Sequence, residues 1–466
     1  VTIPHIGIEV RVPIERWNGK SLQQGCGGSC GQITIVTADD ALARGYAVAS
    51  TDQGHQGSLA DVKWAYNDLV AEVSAGFRAN HVTRTVADAL IDTIHGRPPE
   101  YRYFRGCSNG GRQAMRASQV FPEDFDGIIA GAAPPSTSAI LNGLWGLHIN
   151  LSEDGQPILI SNVLPVIQQA ALKACDLLDG LEDGIIGDPR RCAFDPQNLV
   201  CDRGQSESCV SQQQADVLSQ IYDGPRNSAG QKLVVAGPPI GSELAWRAFI
   251  PNIAEGFYNS RRERRIDTLR YNSFLIDPGP TYNLAEFDWD VDPARMRAMS
   301  PILDAGNPDL RLFRSAGGKM LMYIGTRDYI PMESMIEYYE MVERIIGTRK
   351  QTQDFLRLFV IPGMDHCQGG PGAGFIDYIS AMEDWVENNA EPDRLIGAKL
   401  KYPDVVYGKS FPASSLPQEQ LHRDATLYAQ NINFTRPHFP YPDVARYSGS
   451  GDVNSAENFY RETPYP

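Results

Sequence analysis

The sequence predicts an α/β fold, a mostly parallel sheet with helices on both faces and one large insertion. Three observations carry that reading. Short apolar runs at 46–51, 101–104, 127–132, 321–324 and 356–361 have the length and bounding residues of buried strands. Between several of them lie segments of helical period, the pattern of strand–helix–strand units in a parallel sheet. From 136 to 296 the alternation stops, and Pro, Gly, Asp and aromatic residues dominate before it resumes. We therefore expect a sheet domain from residues 1–135 and 297–466, with a lid domain at 136–296. A chain of 466 residues, 42% of them apolar, can bury such a core.

Taken in order, residues 6–13 alternate like a strand, WNGK at 17–20 reads as a turn, and 21–24 as a short strand. Residues 37–43 suit a helix, and 46–51 a strand ending in Asp52-Gln53-Gly54-His55. Val82, Val86, Ala89, Leu90 and Ile94 mark a helix over 79–95, and 112–120 reads as another. His55 and His95 read as structural histidines. Within the insertion, Trp246, Phe257, Tyr258, Tyr271, Phe274, Tyr282, Phe287 and Trp289 either build a small core or offer flat rings to a flat ligand. From 398 onward the chain reads as a polar wrapping tail without chemistry.

Charge and cysteine usage narrow the function. With 42 basic and 57 acidic side chains, the net charge of −15 argues against nucleic acid or an anionic membrane as partner. No apolar run reaches the ~18 residues of a membrane span. The chain opens on Val1, so a removed N-terminal segment is expected. Six of the eight cysteines fall into three close pairs, Cys26 with Cys30, Cys175 with Cys192 and Cys201 with Cys209. Cys107 and Cys367 remain for one long bridge, Cys107–Cys367. That pattern implies an oxidising compartment, secreted or periplasmic.

The chemistry centres on Gly106-Cys107-Ser108-Asn109-Gly110, a G-x-S-x-G between a strand and a helix. Such a turn presents the serine hydroxyl above the sheet edge, and the helix N-terminus aims N–H groups at developing negative charge. Two late strands end in Gly325-Thr326-Arg327-Asp328 and Pro362-Gly363-Met364-Asp365-His366-Cys367. This gives the order Ser108, Asp328, His366 of an α/β-hydrolase. Asp365 competes with Asp328, but as the immediate neighbour of His366 it is poorly placed to reach Nδ1 of the same ring. Gly25-Cys26-Gly27-Gly28-Ser29-Cys30-Gly31 can turn backbone N–H groups toward one anion. Gly28 is chosen over Gly27 as an oxyanion donor, beside Asn109. Asp176, Asp179 and Asp183, with the carbonyls of Leu181 and Ile185, make either a calcium loop or a solvated acidic turn.

Over nearly its whole length the sequence resembles the tannase and feruloyl esterase family, which includes mono(2-hydroxyethyl) terephthalate hydrolases. The resemblance rests on WNGK with the glycine loop, YAVASTDQGH, GCSNGGRQAM, FPEDFDGIIAGAAPP, CDLLDGLEDGIIGDPRRC, FDWDVDP, GTRDYIP and DHCQGG. It implies an α/β-hydrolase fold with a lid, and a serine carboxylic-ester hydrolase using Ser108, Asp328 and His366. The implied substrates are small feruloyl, galloyl or terephthaloyl esters, with no organic cofactor. It also implies structural Ca2+ in the lid at Asp176, Asp179, Leu181, Asp183 and Ile185. A terephthalate half-ester would need a lid arginine, for which Arg247, Arg261, Arg262, Arg264, Arg265 and Arg270 are available. The family's C-terminal half-cystine pair is missing, with Phe439 in its place in RPHFPYP.

Overall fold

The computed structural model describes residues 2–3, 5–202, 208–248, 250–251, 256–401 and 431–464. Eight strands form the main sheet: β1 (Thr2–Ile3), β2 (Ile6–Arg11), β3 (Lys20–Gln24), β4 (Ala47–Thr51), β5 (Tyr101–Cys107), β6 (Gly127–Gly131), β7 (Lys319–Gly325) and β8 (Leu356–Ile361). Their order is β1-β2-β4-β3-β5-β6-β7-β8. From β4 to β8 every pairing is parallel, and β1 and β2 add an antiparallel edge. This is the α/β-hydrolase architecture expected from the sequence.

Strands covered on both faces need continuous apolar or small residues, and all five positions of β4 (AVAST) and of β6 (GIIAG) are buried. Alternate side chains divide between two cores. Ile128, Met320 and Met322 join the helices Asn109–Val120 and Met332–Ile346 through Ala114, Met115, Tyr338 and Tyr339. Ile129, Leu321 and Tyr323 meet the helix Tyr378–Asn388 through Met382 and Trp385. The glycines of β6 leave room for rings. A Cβ at Gly127 would sit 2.6 Å from the Tyr103 ring, and one at Gly131 would sit 2.2 Å from that of Tyr323.

Strands β6 and β7 are hydrogen-bonded neighbours, although residues 132–318 lie between them in sequence. That insertion contains the helices Ser138–Ile149, Leu164–Cys175, Gln212–Asp223 and Gly256–Tyr271. Among the described residues its two larger cores lie around Leu164, Ile167, Leu218 and Trp246 and around Leu144, Leu269, Phe274 and Phe287, with a smaller one at Ala171, Cys175 and Ile186. Trp246, Phe274 and Phe287 are thus interior residues of the insertion, the structural alternative of the two. The side chains of Phe257 and Tyr258 lie outside the described residues. Among the described residues, no helix is long and apolar enough to cross a membrane.

The end of the chain departs from the expected tail. Residue 398 belongs to β9 (Leu395–Leu400), which pairs with β10 (Ile432–His438), and β11 (Val444–Tyr447) pairs with β12 (Phe459–Glu462). These strands escape a pattern-based reading because they form two-stranded sheets of mixed burial, which impose no regular apolar alternation. Pro437 is tolerated in β10 because such a pair has an outer edge that needs no N–H. Residues 402–430, including most of YPDVVYGKS, lie outside the described residues. The segment is anchored by Tyr441 N–H to Leu358 C=O (2.7 Å), and Arg436 reaches Asp183 in the insertion (2.8 Å).

Within β10, His438 is 3% exposed, and its Nε2 lies 2.9 Å from Ala373 C=O. Burial pushes its imidazole down to about 4. A histidine held neutral when folded takes up its proton first in the unfolded chain. Its stabilisation is therefore complete above the ordinary pKa of 6.5 and is lost as pH falls toward about 4. The loss reaches about 3 kcal/mol. Buried carboxyls titrate in the same window with the opposite sign, so the comparison is with His438→Gln, which keeps a donor for Ala373. Urea midpoints at pH 7 and pH 4.5 should fall further for the wild type than for the variant; parallel midpoints would reject the assignment.

Candidate active site

At the end of β5 the chain makes the sharp turn that G-x-S-x-G foretells. Ser108 takes φ +61° and ψ −127°, and its N–H donates to Gly131 C=O (2.9 Å). Both flanking glycines are demanded by close approach. A Cβ on Gly106 would lie 2.3 Å from Gly110 C=O, and one on Gly110 would lie 3.1 Å from the Gly25 backbone. The helix begins at Asn109, three residues before the 112 that periodicity gives. Gly110 and Gly111 hide the start because glycine is a poor helix former. Gly111 is nonetheless needed there, since a side chain would strike Gly131 C=O at 2.3 Å.

Beyond β7 and β8, the structure brings Asp328 and His366 together. Nδ1 of His366 lies 2.8 and 2.9 Å from the two carboxylate oxygens of Asp328. A carboxylate only accepts, so Nδ1 carries the proton and Nε2 is left as a base. The Asp328 side chain is fully buried and also accepts from Ile330 N–H (2.8 Å). Its rival Asp365 instead faces Arg327, 3.4 Å from Nε. Tyr329 lies against the His366 ring at 4.6 Å between centroids and also packs on the insertion's core. The bridge Cys107–Cys367, with Cα atoms 5.9 Å apart, links the residue before Ser108 to the residue after His366.

The glycine loop lies directly on this turn. Gly28 has φ +59°, and a Cβ there would stand 2.5 Å from Leu59 C=O. Among the described residues nothing accepts the N–H of Gly27 or of Gly28, so both remain candidates. The ring is closed by Cys26–Cys30. His55 Nε2 bonds Ser29 C=O (2.8 Å) with its ring stacked on Trp64, and burial holds its pKa below the ordinary value. His95 bonds Pro13 C=O (3.0 Å) and stacks on Trp17. Both histidines are structural.

Sequence reasoning passed over Arg112 and Gln113, whose only signal was their place in GCSNGGRQAM. Arg112 donates to Asn109 Oδ1 (2.6 Å), Leu303 C=O (2.8 Å) and the carbonyls of Ala75 and Gly76 (3.2 Å each). Burial, and next the charge of Arg116, push its guanidinium down to about 10. Of the insertion arginines, Arg264 reaches Ser29 Oγ (3.4 Å), Arg270 bonds Tyr282 C=O (2.6 Å), and Arg265 lies against Gly143. The side chains of Arg247 and Arg261 lie outside the described residues.

In the acidic loop of the insertion, Asp176 accepts the N–H groups of Gly184 (2.8 Å) and Ile185 (3.1 Å), and Asp179 accepts that of Leu181 (3.1 Å). Burial first, then the charges of Asp183 and Asp176, push the Asp179 carboxyl up to about 7. Arg436 pairs with Asp183, and three carboxylates in one loop fit a divalent cation by charge. Their side chains do not converge: no group of three His, Cys, Asp or Glu residues suited to a metal occurs among the described residues. Cys175–Cys192 closes this loop, and Cys201–Cys209 lies further along the insertion.

A sequence profile of the tannase and feruloyl esterase family matches residues 2–462. An uncharacterized esterase of Xanthomonas campestris pv. campestris is 33% identical, covering 97% of this chain and 81% of its own. The mono(2-hydroxyethyl) terephthalate hydrolase of Piscinibacter sakaiensis is 30% identical, covering 98% and 82%. The crystal structure of feruloyl esterase B from Aspergillus oryzae superposes with a TM-score of 0.82 at 26% identity, over 98% of this chain and 87% of that one. With sequence, sheet order and these relatives in agreement, the chain belongs to the tannase and feruloyl esterase family and is a carboxylic ester hydrolase.

Proposed function

We propose that the chain is a serine esterase that cleaves esters of aromatic acids through an acyl-enzyme. The observation that carries this reading is the joining of the Ser108 turn to the His366 loop by Cys107–Cys367, with Asp328 on the far side of the imidazole. Ser108 attacks the ester carbonyl while Nε2 of His366 takes its proton; Asp328 holds the tautomer and stabilises the cation. The N–H groups of Asn109 and Gly28 receive the oxyanion, each worth roughly 3–4 kcal/mol in comparable sites. The alcohol leaves with the proton from His366, and water repeats the sequence to free the acid. The insertion serves as a lid. Four disulfides suit an enzyme working outside the cytoplasm.

Labelling with a fluorophosphonate tests the serine mechanism and separates it from a non-catalytic calcium-dependent binding protein, which would not react. A panel of ferulate, gallate and terephthalate half-esters then ranks the substrates. The half-ester reading is favoured by the terephthalate hydrolase among the relatives and by Arg264, an insertion arginine at the glycine loop. A specificity constant for the half-ester below those of ferulate and gallate would reject it.

From charge, and not from the positions of the side chains, we propose that the acidic loop draws together on a structural Ca2+, with Asp176, Asp179 and Asp183 and the carbonyls of Leu181 and Ile185 as its ligands. When bound, the ion neutralises the loop's negative charge. At a hundredfold excess over Kd it contributes roughly 2–3 kcal/mol. EDTA should therefore lower Tm by several degrees, and Ca2+ but not Mg2+ should restore it. An unchanged melting curve would exclude the ion.

A further inference from the structure

The serine reading needs two N–H donors held in register, yet they come from segments about eighty residues apart: the glycine loop and the first turn of the helix Asn109–Val120. Loops of this composition are flexible unless something ties them down. We propose that Gln113 is the positioning residue that locks the oxyanion loop onto the nucleophile helix.

Gln113 is 1% exposed and sits one helical turn after Asn109. Its side-chain amide pairs with the backbone of Cys26 as a neighbouring strand would. Oε1 accepts Cys26 N–H (3.3 Å), and Nε2 donates to Cys26 C=O (3.3 Å). The same Nε2 lies 3.1 Å from Cys30 Sγ, so one amide touches both ends of the ring closed by Cys26–Cys30. A second tie runs from Asn109 Nδ2 to Cys30 Sγ (3.5 Å). Between these ends lie only Gly27, Gly28 and Ser29, and Ser29 is fixed by His55 and by its N–H to Leu59 C=O (2.8 Å). The amide therefore sets where the N–H groups of Gly27 and Gly28 stand relative to Asn109. An amide is required because the Cys26 backbone presents a donor and an acceptor side by side; a carboxylate answers only the donor and an apolar chain neither.

The inference rests on the serine reading, and the variants are chosen so that the two can fail separately. Gln113→Met keeps the buried volume and removes both hydrogen bonds; Gln113→Glu keeps the acceptor alone at pH 7. With 4-nitrophenyl acetate we expect kcat to fall on the order of 10–100-fold in Gln113→Met, and less in Gln113→Glu, with KM within threefold of wild type. Phenylboronic acid, which mimics the tetrahedral state at the serine, should lose affinity in proportion to kcat. Binding of benzyl alcohol, which carries no oxyanion, should stay within twofold. Should Gln113→Met fail to fold, Gln113→Glu carries the same comparison. A folded variant with wild-type kcat and boronate affinity would overturn the assignment, as would equal losses of affinity for the boronate and for benzyl alcohol. Full turnover in Ser108→Ala would instead remove the serine reading itself.

Discussion

Replacing Ser108 by Ala should reduce kcat by a factor on the order of 10⁴ to 10⁶ while leaving the protein folded. On the proposed mechanism the loss is large because Ser108 supplies the bond-forming oxygen, which alanine lacks. Folding should survive because the local backbone is fixed by contacts that do not involve the hydroxyl. Ser108 N–H is held by Gly131 C=O, Arg112 N–H donates to Ser108 C=O (3.0 Å), and the glycines leave no room for another path. Alanine tolerates the positive φ about as badly as serine, so the variant inherits the strain already present. Stopped assays with an aromatic ester, beside a thermal melt, make the comparison; hydrolysis surviving in a folded, metal-washed variant would refute the nucleophile.

The second large effect concerns Cys107–Cys367. Its two half-cystines are 260 residues apart. Chain-entropy arithmetic for so long a loop gives on the order of 5 kcal/mol, less any strain relieved on breaking the bond. Most of the sheet would survive that loss, because β5, β6, β7 and β8 remain paired in register. The proposed catalytic geometry would not, since the bond links the Ser108 turn to the His366 loop. In the double variant Cys107→Ala and Cys367→Ala, kcat should drop at least tenfold at temperatures where circular dichroism still reports a folded protein. Activity and ellipticity lost together in a urea titration, with full kcat beforehand, would show the bond to be a staple and nothing more.

The core of the fold was legible because its parallel strands are covered on both faces and so must be written as continuous runs such as AVAST and GIIAG. The strand–turn–helix around Ser108 was equally legible, since close backbone contacts at Gly106 and Gly110 leave few other residues possible. What escaped has a common physical cause. Strands β9 to β12 pair two by two, with mixed burial, and impose no apolar period on their sequence. The choice between Asp328 and Asp365 rested on covalent adjacency; Asp328 indeed faces the ring and Asp365 faces Arg327. The partners of Gln113 and Arg112 were invisible because side chains that bond a distant backbone leave no periodic trace. The aromatic residues of the insertion could not be assigned to core or cleft from composition, since either environment favours them.

The insertion of residues 132–318 between two paired strands also sets an order of events during synthesis. β6 can settle on β5 as soon as both have emerged, but β7 is made only after the whole insertion. Cys107 waits longer still, because its partner Cys367 follows β8. The other three bonds span only 4, 17 and 8 residues, and closing such short loops costs little entropy. All six of their cysteines precede Cys367 in the chain. If those three close first, Cys367 meets a single remaining thiol, and the 105 conceivable pairings of eight cysteines reduce to one.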